Sequence, residues 1–252
     1  MMKCATNGGE AMRFFSKDLG LSDDDFKSIR LQFEQIFPVN TIENAYNNFH
    51  WGNVKSTEDA VNARNLVADK FSQWVNGGCN YVTAPEAIDL VHKWGFGGQG
   101  LDKRQITLYE KKYLENFVKM AKEWRKAEHP DEMRKCLEIC LQTPYVKIAR
   151  FSKWICFIDP NRYGIYDSRV SLALRKIKLN NKRIFPTLGA KSQDRPNADF
   201  IGSTSAVAAL RMSETYMIYL DLLNAILPNT NLANVADIEM ALFMLGMEKK
   251  YW

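Results

Sequence analysis

Apolar residues recur every three or four positions along most of the chain, the spacing of helices with one buried face. Ser22-Asp23-Asp24-Asp25 has the form of a capping box and opens a helix with Phe26, Ile29, Phe33 and Ile36 on its core side, which Pro38 ends. Thr57-Glu58-Asp59 starts a second helix, with Ala60, Val67, Phe71 and Trp74 inward and Gly77-Gly78 as its stop. A short helix follows from Thr83 to Val91. A long one runs from Thr107 to about Glu128, with Tyr113, Phe117, Met120 and Trp124 inward and lysines outward. The pattern then gives helices over about 131–142 and 144–158. An extended return through Ile165-Tyr166 leads to Asp167, placed as the N-cap of a helix beginning Ser168-Arg169-Val170. Residues 180–204, rich in Lys, Asn, Pro and Gly, read as a long loop expected to be mobile. Helices over about 205–227 and 234–245 close the chain. With no repeat or flexible linker to divide it, the sequence predicts one all-α domain over 1–252, its helices grouped as two lobes around a groove.

Composition narrows the class. At 252 residues with 46% hydrophobic and 12% aromatic residues, the chain has enough apolar surface for a real core and is not a disordered tail. No window approaches the ~20 apolar residues of a membrane span. The first ten residues lack the apolar run of a secretory leader, so a cytoplasmic, nucleoid-associated location is expected. The five cysteines (Cys4, Cys79, Cys136, Cys140 and Cys156) are scattered without a C-x-x-C, which argues for buried thiols over disulfides or zinc.

Charge is unevenly placed. Residues 101–200 hold 22 Lys and Arg against 12 Asp and Glu, while the segments on either side are slightly acidic, so the net +5 arises entirely in the middle. Such asymmetry is the footprint of a polyanion-binding surface, or else of a lysine-rich solvated helix face.

Most candidate motifs reduce to architecture. The cluster Gly95-Phe96-Gly97-Gly98-Gln99-Gly100 lacks the Lys-Ser/Thr of a phosphate loop and the strand of a dinucleotide site, and reads as a turn. His50, His92 and His129 have no metal-ligand spacing, and no nucleophile elbow occurs. No metal or other cofactor is called for. The segment that stands out is Tyr145–Val170: a helix bearing lysines, a short return, and an aspartate opening the next helix. Extended chain rises about 3.3 Å per residue against 1.5 Å in a helix, so the few returning residues reach back along the helix they left. Asp167 is thereby brought near the lysine-bearing helix, where a buried amine beside a carboxylate is a plausible catalytic pair.

Ser152-Lys153-Trp154-Ile155-Cys156-Phe157, then Pro160, then Ile165-Tyr166-Asp167-Ser168-Arg169-Val170 resembles the helix-hairpin-helix (HhH-GPD) superfamily of DNA glycosylases, in particular divergent bacterial proteins similar to 8-oxoguanine DNA glycosylase. The resemblance covers mainly residues 143–175. In lyase-competent members a lysine precedes the aspartate by roughly 18–20 residues. A count of 18 back from Asp167 meets Ala149, with Lys153 one helical turn later on the same face and Lys147 on another. The glycine-rich hairpin that holds a DNA phosphate in the family is replaced here by Thr143-Pro144-Tyr145-Val146, and the cysteine loop of the iron–sulfur members is missing.

The resemblance implies a monomeric enzyme that excises a damaged, 8-oxoguanine-like base from duplex DNA. Lys153, with Lys147 as the second choice, would attack the sugar and form the Schiff base of an AP lyase. Asp167 would stabilise the cationic sugar, and Lys147, Arg150 and Arg169 would contact DNA. Two other readings remain open: a helical DNA-binding protein that kept the fold without the chemistry, and a protein-interaction module with a basic middle. Taken alone, Asp167 reads equally well as a cap and Lys153 as a lysine snorkelling from an amphipathic helix.

Overall fold

A computed structural model describes residues 20–52, 54, 56–80, 82–95, 103–126, 129–142, 148–189 and 206–248, with side chains in the fifth helix described from Leu114 onward. The fold is all-α, with ten α-helices and one small hairpin among the described residues. In chain order they are α1 (Asp23–Ile36), α2 (Val39–Asn47), α3 (Thr57–Asn76), α4 (Ala84–Gly95), α5 (Lys103–Lys126), α6 (Pro130–Leu141), α7 (Ile148–Ile158), α8 (Ser168–Leu174), the strands β1 (Lys178–Leu179) and β2 (Lys182–Arg183), α9 (Ala206–Ile226) and α10 (Val235–Leu245). A 3-10 turn, Leu227–Asn229, links the last two helices.

Local chemistry sets most of these boundaries. The Ser22 hydroxyl accepts from Asp25 N while the Asp25 carboxylate accepts from Ser22 N, a complete capping box that holds the Asp25 carboxyl below its usual range. Pro38 ends α1 as expected and also begins an unexpected element: its carbonyl accepts from Thr41 N and Ile42 N, opening α2. With Ile42 as its one fully buried residue, α2 carries too weak a periodic signal to be read from sequence. On α3, Trp74 stays half-buried at the edge, stacked on Phe117 at 5.0 Å, and the core face instead includes Arg64. Cys79, Cys136, Cys140 and Cys156 are buried free thiols, as the scattered spacing implied.

One contiguous cluster of buried side chains runs from Ile29 on α1 to Leu245 on α10, with a small satellite around Cys156, Ile165 and Ala236. Both α9 and α10 are buried on nearly every side. Around them α10 packs on α2 and α8, α9 on α6, and α7 on α3, α4 and α5.

The first ten residues of the segment read as a mobile loop, 180–189, are ordered. Asn180 and Asn181 both take left-handed φ (50° and 61°), the requirement of a two-residue hairpin turn, and pair β1 with β2. Phe185 then enters the core, and Tyr166 Oη donates to Pro186 O at 2.9 Å. Residues 190–204 of that loop lie outside the described residues.

Gly246, which caps α10, lies against the Arg169 backbone so closely that a Cβ there would fall on the Arg169 carbonyl. Backbone cannot rotate away as a side chain can. Gly246→Ala is therefore expected to destabilise the protein by about 1–3 kcal/mol or more, measured as a shift of the thermal midpoint.

Candidate active site

The return from α7 to α8 carries the site. Residues 164–166 run extended but pair with no strand among the described residues, so their backbone groups need other partners. Side chains supply them. The Ser152 hydroxyl accepts from Tyr166 N at 3.0 Å, Tyr216 Oη donates to Gly164 O and Tyr219 Oη to Ile165 O, each at 2.9 Å. Complete burial pushes both tyrosine hydroxyls well above their usual range, which keeps them neutral donors. Gly164 permits the close approach, since a Cβ would come within 2.8 Å of Leu223 Cδ1. The segment is thus pinned at Ser152, next to Lys153.

Asp167 is the N-cap of α8 and divides its two oxygens. Oδ1 accepts from Arg169 N (2.9 Å) and Val170 N (3.1 Å), while Oδ2 lies 3.8 Å from Lys153 Nζ. Lys153 is 5% exposed, and its stem runs along the backbone of Gly95, where an added Cβ would meet Cδ and Cε at 2.7 Å. The amine is therefore aimed inward at the carboxylate and does not snorkel to the surface.

Both Lys153 and Asp167 line a narrow pocket of about 20 Å³, whose other walls include Phe49, Trp51, Trp94, Ile165, Glu239 and Phe243. That is far below the roughly 300–1,000 Å³ typical of small-molecule sites and holds about one water. One aromatic wall is braced from behind: the Arg169 guanidinium stands 4.6 Å from the Trp51 ring and 4.7 Å from the Phe243 ring, which meet edge to face. Arg169, expected among the DNA contacts, is thereby placed on aromatic faces.

Glu239 of α10 completes the pocket. It is 3% exposed, and its Oε2 has no hydrogen-bond partner among the described residues. Burial and the nearby Asp167 charge raise its carboxyl well above the usual range, against the opposing pull of Lys153 and Arg64. The shift favours the protonated form of Glu239, which faces Lys153 and Asp167. Behind it, Arg64 Nη2 pairs with Asp237 Oδ1 at 2.8 Å, both groups being buried, and Asp237 Oδ2 accepts from Ala233 N. A buried ion pair of this kind costs desolvation energy that its own attraction only partly repays, and it ties α3 to α10.

His92, assigned no role from sequence, lies beneath Lys153. Trp154 Nε1 donates to His92 Nε2 at 3.2 Å, and burial, with Arg150 and Lys153, pushes its pKa down to about 3, so the ring is neutral. Arg150 itself is half-buried on α7. Lys147 lies outside the described residues, as does the glycine cluster beyond Gly95. Among the described residues, no group of three or more His, Cys, Asp and Glu is placed to hold a metal ion, and no helix is long and apolar enough to cross a membrane.

No family model, no curated protein and no solved structure matches this chain. The site must be read from its own geometry. That geometry joins Lys153 and Asp167, as the helix–return–helix pattern led one to expect. It adds Glu239 and Arg64, which the sequence reading missed. Both are charged residues on apolar helical faces, and that mismatch is the signal that could have flagged them.

Proposed function

We propose that the protein is a DNA repair glycosylase that removes a damaged base through Lys153, with associated AP-lyase chemistry. The observation that carries this reading is the inward-facing Lys153 amine 3.8 Å from Asp167 Oδ2 in an aromatic-walled pocket. Electrophilic carbon attached to a good leaving group is the natural target of a buried amine, and a carboxylate beside it suits a carbon that becomes cationic as its bond breaks. A base lifted out of a duplex offers both, and aromatic walls offer it stacking surfaces.

In this reading Asp167 takes the proton from the Lys153 ammonium. The amine then bonds to the sugar C1′, and the C1′–N electron pair leaves with the base, which acquires a proton. Ring opening at C1′ gives the Schiff base, from which loss of a C2′ proton expels the 3′-phosphate and cuts the strand. Asp167 passes the proton it took from Lys153 to the departing base, so its carboxylate is ionised again as positive charge develops at C1′. The partner is duplex DNA carrying a lesion, and no step needs a metal or other cofactor.

The test is borohydride trapping on duplexes with oxidised guanine and related lesions. Wild type is expected to form a covalent complex that Lys153→Ala reduces by at least about a hundredfold. Survival of trapping in Lys153→Ala but not in Lys147→Ala would move the nucleophile to Lys147. The narrowness of the pocket, whose walls leave room for about one water between them, favours a second reading, a DNA-binding protein without base excision. Neither a trapped complex nor released free base on any lesion would establish that reading.

A further inference from the structure

The densest positive charge on the molecule lies outside the pocket, at the far end of α8. Arg175, Lys176, Lys178, Lys182 and Arg183 put five cations and no acid into nine residues. The fold does not disperse them. Lys178 and Arg183 stand directly opposite each other across the hairpin, a like-charge pairing that weakens a strand pair. Burial and the nearby Arg183 both disfavour the charged form of Arg175. Lys176, Lys178 and Lys182 are exposed, and among the described residues neither Lys178 nor Lys182 makes an ion pair.

This charge is carried on a rigid element. The Asn180-Asn181 turn fixes the tip, and buried Ile177 and Phe185 anchor the two ends. The Gln32 side-chain amide of α1 clamps β1 from both sides of one residue, donating to Lys178 O at 2.8 Å and accepting from Lys178 N at 3.1 Å. A solvated lysine run needs no such clamp. Concentrated like charge held on a fixed support is relieved by a polyanion.

We propose that the hairpin Lys178–Arg183, with Arg175 and Lys176 at its base, is a phosphate-backbone contact for duplex DNA. The proposal rests on the DNA-directed reading of the pocket and supplies the grip that residues 143–146, lacking the glycine hairpin, leave unassigned. Distance permits it: Asp167 caps one end of α8 and Arg175 the other, and a seven-residue helix is about 10 Å long, roughly three base-pair steps along one strand.

The test compares two triple variants of equal charge change, Lys176→Gln/Lys178→Gln/Lys182→Gln on the hairpin and Lys119→Gln/Lys122→Gln/Lys126→Gln on the exposed face of α5. Affinity for a short duplex containing a stable abasic analogue is measured between about 50 and 200 mM salt, after thermal melting confirms that both variants fold. The hairpin variant is expected to bind on the order of tenfold more weakly and to lower the log–log salt slope by about 2.7, that is about 0.9 for each of three lost phosphate contacts. The α5 variant is expected to keep most of the wild-type slope. Equal losses in the two variants, or a wild-type slope in the hairpin variant, would overturn the proposal. So would displacement of the duplex by polyglutamate as readily as by unlabelled DNA. Trapping keeps the two readings apart: a hairpin-dependent slope without trapping removes the glycosylase and leaves the DNA contact, while trapping with an unchanged slope does the reverse.

Discussion

Asp167→Asn is expected to leave the fold almost untouched while lowering base release by about 10²–10³-fold, the effect of removing one preorganised charge from a developing transition state. The two functions of this residue are carried by different oxygens. Oδ1 caps α8 through Arg169 N and Val170 N, and Oδ2 faces Lys153. Asparagine caps as well as aspartate does, and its amide oxygen can keep both backbone bonds. What it loses is the negative charge opposite the amine and the ability to take its proton. Asp167→Ala removes the cap as well and should cost about 1 kcal/mol of stability. The pair of variants therefore separates capping from chemistry: thermal melting reads the first, and single-turnover release of the damaged base reads the second. If Asp167→Asn excises as fast as wild type, Asp167 is a cap and nothing more.

The second large effect concerns stability against pH. In the folded protein the carboxyl of Glu239 is raised above its usual range by burial first and by the Asp167 charge second. In the unfolded chain it ionises near its usual value, about 4.3. Below that value both states carry the proton and Glu239 contributes no pH dependence. As pH rises above it, the unfolded chain loses the proton while the folded protein retains it, so stability falls until the folded group itself ionises. Glu239→Gln has no proton to lose. The variant should match wild type most closely near pH 4 and become progressively more stable relative to it at higher pH. The difference should grow by about 1.4 kcal/mol per pH unit over the window between the unfolded and folded values. Denaturant unfolding of both proteins at a series of pH values measures it. A pH-independent difference would show that Glu239 is ionised in the folded state. Adding Asp167→Asn removes one cause of the shift, so in that background the window should close at a lower pH.

The chain's own pattern announced the helical class, the positions of most helices and the meeting of Lys153 with Asp167. These are local properties: periodicity, caps and the short span of a return are written in adjacent residues. Asp167 caps α8 through the backbone amides of its near neighbours Arg169 and Val170, and the nine residues from Asp159 to Asp167 leave the carboxylate few places to go. The helix α2 and the hairpin at 178–183 were less legible. The first hides one buried residue in nine, and the second depends on two adjacent asparagines adopting left-handed backbone. Arg169 shows the limit of residue type as a guide. Its guanidinium is placed against Trp51 and Phe243, which come from segments more than 70 positions away in either direction, a contact that neither residue type nor spacing announces.

By itself, then, the sequence determined that this protein is all-helical and that an amine and a carboxylate approach each other across one return. Tertiary structure alone decided that the amine points inward past Gly95, that four aromatic rings wall the space before it, and that burial there raises the Glu239 carboxyl above its usual range. The reason is physical. Caps and periodicity act between neighbours in the chain, whereas burial, and the shift in protonation that burial imposes, depend on which distant helices close around a side chain.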